Sequence, residues 1–140
     1  MLLPPVLRKE EKVLKRDSMS WLSFMGLTDK SDLYPGSLPI GTRRLLELAR
    51  ALAAEPQFLL LDEPASGLNP HETANLARLI VKIKEELGIT ILLVEHDMLM
   101  VMDIADYITV LNQGKKIAEG RPKEVHSNPE VIRVYLGGEM

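Results

Sequence analysis

Cysteine is absent from the 140 residues, which excludes a disulfide framework and any thiolate-held metal and suits a reducing compartment. Long basic blocks are missing too, and a formal net charge of -3 gives no electrostatic case for nucleic acid. No apolar run approaches the roughly 20 residues that span a bilayer, so work at a membrane would need a partner to hold the chain there. The opening Met-Leu-Leu-Pro-Pro-Val-Leu is followed at once by Arg8, Lys9 and two glutamates, which is neither the charge order nor the length of a signal peptide. Aromatics are few, and Trp21, Phe24 and Tyr34 crowd into one stretch, where packing of a small helical piece is the expected role and partner docking the alternative. What is present is globular composition, with 46% hydrophobic and 26% charged residues, enough for one domain or part of one.

The chain is organised around Phe58 to Pro64, in which an apolar run stops abruptly at the adjacent carboxylates of Asp62 and Glu63. A run without polar alternation, bounded by Pro56 and Pro64, predicts a parallel strand covered on both faces. In open α/β sheets ligands sit beyond the carboxyl ends of the strands, which is where these two carboxylates emerge. One could hold a hydrated Mg²⁺ while the other orients and deprotonates a water; a strand that merely ends in acidic residues at a turn is the plainer alternative.

A helix is expected from about Val6 to Met25, with Gly26 as its stop. The turn-rich Thr28 to Ser37 leads into Leu38-Pro39-Ile40-Gly41-Thr42-Arg43-Arg44 and a helix that starts just after the Pro and the Gly and ends near Ala54. Its free N–H groups and positive dipole end would attract an anion, with Arg43 and Arg44 in the first turn reinforcing the attraction; an ordinary helix start is the alternative. The loop Ala65 to Pro70 precedes a helix from about His71 to Leu87 that Gly88 stops, with His71 on its solvated surface.

Ile89 to Glu95 reads as a second buried parallel strand, with His96 and Asp97 at its carboxyl end. A crossover helix between two parallel strands puts Asp62, Glu63 and His96 on one rim, which favours function over the usual structural role of a lone histidine. The methionines of a short helix over Met98 to Ala105 read as adaptable core and contact surface. A third strand from Tyr107 to Leu111 turns at Gly114 into an antiparallel return over Lys116 to Glu119, and Pro122 to Ser127 and Pro129 to Leu136 suggest short helices before Gly137 and Gly138. His126 lies in a polar connection without an assigned role.

These segments, in this order and spacing, closely resemble the ATP-binding subunits of ABC transporters, over essentially the whole chain. Leu38 to Thr42 falls on the signature motif, Phe58 to Asp62 on the Walker B strand with Glu63 as catalytic carboxylate, Ser66 to Pro70 on the D-loop, and His96 on the switch histidine. Leu-Pro-Ile-Gly, Ser-Gly-Leu-Asn-Pro-His-Glu-Thr and Asn-Pro-Glu-Val-Ile-Arg-Val-Tyr-Leu-Gly are similar to the branched-chain amino acid importers. The resemblance implies a P-loop NTPase fold of the α/β class, a mostly parallel sheet flanked by helices. Residues 1–55 would carry part of the helical subdomain and the signature, 56–121 the Walker B, D-loop and switch core, and 122–140 a helical tail.

Two departures matter. The common Leu-Ser-Gly-Gly-Gln signature reads Leu-Pro-Ile-Gly-Thr here, so phosphate contact would rest on Ile40, Gly41, Thr42 and the helix dipole. The 140 residues also contain no Gly-x-x-x-x-Gly-Lys-Ser/Thr, since Gly114-Lys115 sits in a hairpin turn and is followed by Lys116, and no Gln loop. The chain therefore resembles a truncated cassette, the second half of such a domain, beginning within its helical subdomain.

By the resemblance Asp62 would position Mg²⁺ through water, Glu63 would be the general base, His96 would hold the γ-phosphate and Glu63 in line, and Ser66 and Asn69 would touch the opposite subunit of a head-to-tail dimer of ATP-binding domains. ATP hydrolysis would drive transmembrane permease subunits from the cytoplasmic face of the cell membrane, and the chain alone would neither bind nor hydrolyse ATP. In the family's sheet the P-loop strand lies between the Ile89 to Glu95 and Tyr107 to Leu111 strands, so an open slot is expected there, inviting another chain. A non-catalytic partner or inhibitor of an intact ATPase is the alternative. The ATPases of chromosome maintenance share these motifs but need long heptad arms, for which the charged helix from Arg8 to Asp17 is too short.

Overall fold

Strands β1 (Phe58–Asp62) and β2 (Thr90–Val94) pair in parallel in the computed structural model, which describes residues 5–136. Gly137, Gly138 and the opening residues 1–4 lie outside the described residues. The register sets Leu60 against Leu92 and Asp62 against Val94, so both strands end at one rim. Three helices pack on one face of this pair: α1 (Pro5–Phe24), α2 (Ile40–Leu52) and α3 (Pro70–Leu87), the last being the crossover. Their apolar stripes, with Leu48, Leu52, Leu76, Ile80 and Ile83 at the centre, close over Leu59 and Leu61.

Burial along β1 alternates, which corrects the expectation of a strand covered on both faces. Leu59 and Leu61 are buried, whereas Phe58, Leu60, Leu92 and Val94 stand exposed on the opposite face. The residues of a strand point alternately to either side, and α1, α2 and α3 all lie on the side of Leu59 and Leu61, so the second apolar face stays bare.

Strands β3 (Ile108–Asn112) and β4 (Lys115–Gly120) form a separate antiparallel hairpin. Its turn residues Gln113 and Gly114 both have positive φ, as a tight primed turn demands. Among the described residues β2 and β3 do not pair, so the sheet is in two parts and the edges expected to flank a missing strand are open. Helix α4 (Met98–Ile104) joins the parts: Met100 is buried in the first core, while Met98, Val101 and Met102 pack on the second, formed by Ile108, Val110, Val125 and Val131. Short helices α5 (Pro122–His126) and α6 (Pro129–Val131) complete this second core through Val125 and Val131, and a π-helical turn, Ile132–Leu136, follows.

Trp21 and Phe24 meet edge to face at 6.2 Å, and the Lys82 ammonium sits 4.0 Å above the Phe24 ring while donating to the Phe24 carbonyl at 3.3 Å. The Lys82 contacts fasten α1 to α3. Tyr34, grouped with them by sequence, is instead almost fully exposed, because it lies in the turn-rich connection that α1 does not cover.

Candidate functional site

Glu63 is the first residue beyond β1 and has a φ of +44°, in the left-handed region that side chains other than glycine seldom occupy. The surrounding hydrogen bonds hold this elbow. The Glu63 N–H donates to the Val94 carbonyl at 2.8 Å and the Ser66 N–H donates back to the Glu63 carbonyl at 3.1 Å, with buried Pro64 between them. Held in this way, the Glu63 carboxylate lies 3.5 Å from His96 Nδ1. Both side chains are largely exposed, so a ligand could reach them, and Asp62 is exposed at the end of β1. The shared rim expected for Glu63 and His96 is thus a direct approach of carboxylate to imidazole.

The signature and D-loop segments are also brought together. Helix α2 begins at Ile40, with Pro39 as its N-cap and no side chain capping it, so Gly41 lies inside its first turn with Thr42 and not ahead of the helix as the sequence predicts. The first intrahelical bond there is from the Arg43 N–H to the Pro39 carbonyl at 2.9 Å, and the preceding N–H groups remain at a positive dipole end. Gly41 is pressed against Glu72 of α3: a Cβ at Gly41 would stand 2.5 Å from Glu72 Oε1. Gly67, at φ +79°, faces Ile40 Cδ1 less closely, at 3.1 Å from where its Cβ would be.

Asn69 and Glu72 form a reciprocal capping box, each side chain accepting the other's backbone N–H at 2.9 and 3.0 Å. Asn69 is therefore committed through its carbonyl oxygen to the start of α3. Ser66 and His71 are exposed. A shallow groove of about 210 Å³ runs between α2 and α3, lined among others by Gly41, Thr42, His71 and Asn75.

One residue of the site was not singled out from sequence. Among the described residues no polar residue is buried as a whole, yet the Glu95 side chain is only 1% exposed while its backbone reaches solvent. Glu95 Oε1 accepts from the Ala65 N–H at 2.8 Å and Oε2 from the His96 N–H at 3.1 Å. The available signal was a charged residue closing an otherwise apolar strand run, directly before the histidine.

Among the described residues no cluster of three or more His, Asp or Glu side chains could cage a metal ion. Mg²⁺, however, typically keeps several waters and is bound by one or two carboxylates together with substrate phosphates. Exposed Asp62 at the strand end fits that mode, in which the nucleotide completes the coordination.

Comparison with known proteins places these features in context. Residues 6–103 match the family profile described as "AAA domain, putative AbiEii toxin, Type IV TA system", and residues 115–140 match that of the branched-chain amino acid ATP-binding cassette transporter. The chain is 44% identical over 95% of its length to the high-affinity branched-chain amino acid transport ATP-binding protein BraF of Pseudomonas aeruginosa, covering 52% of that protein. It is 42% identical over 98% of its length to LivG of Escherichia coli K12, with 54% of LivG covered. Among solved structures, cbiO1 from Clostridium perfringens, part of an ABC transporter complex, superposes with a TM-score of 0.78 at 34% identity, over 95% of this chain and 51% of the other. The ADP conformation of an ATP-binding cassette of an ABC transporter gives 0.78 at 32% identity, over 87% and 49%. The chain thus spans about half the length of the curated relatives it matches.

Proposed function

The chain belongs to the ATP-binding subunits of ABC transporters, in the branch of the branched-chain amino acid importers, and from that premise we propose that it supplies the signature, Walker B, D-loop and switch parts of an ATP-hydrolysing cassette whose P-loop must come from further polypeptide. The approach of Glu63 to His96 at the carboxyl rim of two paired parallel strands is the observation that carries this reading. Within it, residues 1–55 bear the helical subdomain and signature, and 56–121 the catalytic rim.

Glu63 then accepts a proton from the attacking water, and its strained elbow aims the carboxylate at one place in space. His96 Nδ1 stands beside that carboxylate to keep it in line, leaving the rest of the ring free toward a terminal phosphate. Asp62 would hold Mg²⁺ through water, and the ion supplies charge neutralisation across the phosphate oxygens. Ile40, Gly41 and Thr42, at the dipole end of α2, face a nucleotide held by a second subunit in a head-to-tail dimer, and Ser66 and Asn69 approach that subunit. Without a P-loop lysine and its backbone cradle the phosphates lack most of their ligands, so the 140 residues alone neither bind nor hydrolyse ATP. With transmembrane permease subunits, the completed cassette couples hydrolysis to import of branched-chain amino acids.

The test is phosphate release by this chain mixed with a separately produced polypeptide bearing the P-loop half of a branched-chain importer cassette. Hydrolysis is expected only in the mixture and is lost with Glu63→Gln. Turnover that survives this substitution would remove Glu63 from its role.

A further inference from the structure

Glu63 adopts its left-handed conformation against a steric cost, and such a conformation persists only where its surroundings over-determine it. Two of the hydrogen bonds around it are between backbone groups. The third fastening, on the far side of the elbow, is the buried Glu95 carboxylate, which accepts the Ala65 N–H at 2.8 Å across 30 residues of sequence. Its other oxygen accepts the N–H of His96, the residue whose imidazole faces Glu63. One carboxylate therefore ties the loop leaving the hydrolytic base to the backbone of the switch histidine. An oxygen atom of a carboxylate makes a stronger bond to an N–H than a neutral acceptor does, and with the side chain 1% exposed water does not compete for it.

We infer that Glu95 is a positioning residue that locks the Glu63 elbow to His96, so that the base, the start of the D-loop and the switch histidine move as one unit. The inference deepens the proposed function and its catalytic arm rests on that reading. Its structural arm does not. Glu95 touches neither nucleotide nor attacking water; it acts through the Ala65 and His96 amides. Nothing in the structure shows what covers the bare face of β1 and β2, and the open N-terminus of α2 belongs to the signature.

The experiment is amide hydrogen exchange on the 140-residue chain, resolved by residue, for the wild type, Glu95→Ala and Glu95→Gln. In the wild type the Ala65 amide is expected to exchange slowly despite its place in a loop. Glu95→Ala is expected to accelerate exchange at Ala65 roughly ten- to a hundredfold, the range for losing one charge-assisted hydrogen bond, while the α3 amides of Leu76 and Ile83 stay protected. Glu95→Gln keeps the shape but has one acceptor oxygen in place of two and no charge, so it is expected to restore protection only in part, at the one amide that its oxygen faces. In the complemented cassette Glu95→Ala is expected to lower kcat about tenfold or more with KM for ATP within about twofold, the pattern of a contact felt in the transition state. An Ala65 amide that already exchanges like a free one, or that keeps its protection in a folded Glu95→Ala chain, overturns the inference. If even the wild-type mixture shows no turnover, the proposed function fails, and the exchange result still decides the role of Glu95.

Discussion

Gly41 leaves no room for a side chain, because a Cβ would approach Glu72 Oε1 to 2.5 Å and Glu72 Cδ to 2.8 Å. The glutamate is flexible, and moving it gives up only the bond its carboxylate accepts from the Asn69 N–H, while the Glu72 N–H keeps Asn69 Oδ1. With alanine favouring a helix over glycine by a similar amount, Gly41→Ala is therefore expected to cost less than about 1 kcal/mol, read as a urea midpoint changed little at an unchanged slope. Asp62, Glu63 and His96 were legible in the sequence because an apolar run ending in carboxylates, and a second run ending in histidine, fix the rim of a parallel sheet. The packing of Gly41 on Glu72 and the inward turn of Glu95 were not legible. Both depend on residues about 30 apart meeting in space, and a glutamate at a strand end or helix start reads by default as solvated.

At the scale of elements, α3 was readable at both ends, from the loop Ala65 to Pro70 before its start to Gly88, at φ +65°, at its close. Asn69→Ala removes the acceptor for the Glu72 N–H and is expected to lower stability by about 1 kcal/mol, measurable as a reduced thermal midpoint. The parallel pair β1 and β2 was equally readable, but its covering was not: a run of leucines predicts apolar surroundings without saying which chain provides them. Leu60 and Leu92, opposite one another and 66% and 53% exposed, form an apolar ledge. The chain is expected to self-associate through this face, and Leu60→Lys with Leu92→Lys should lower the weight-average mass in sedimentation while leaving the thermal midpoint unchanged at a dilution where the wild type is monomeric. A midpoint that drops by several degrees would mean that these side chains are already buried in the folded chain.

For the whole molecule, the division into two two-stranded sheets joined through α4 is the physical counterpart of what the sequence lacks. A family resemblance predicted a slot between β2 and β3, and the described residues leave both strand edges without a partner there. A polypeptide that fills the slot binds only the folded state, so the P-loop half should stabilise this chain by about 4 kcal/mol when present at a thousand times its dissociation constant. Thermal unfolding with and without that half measures the effect; an unchanged midpoint would show that the two do not assemble. The most direct test of the central claim is equilibrium binding of Mg-ATP to the 140-residue chain carrying Glu63→Gln, which prevents turnover. No saturable binding up to millimolar nucleotide is expected, because the phosphate cradle is not in these residues. Saturation at one nucleotide per chain would contradict the account, since the phosphates would then be held without a P-loop.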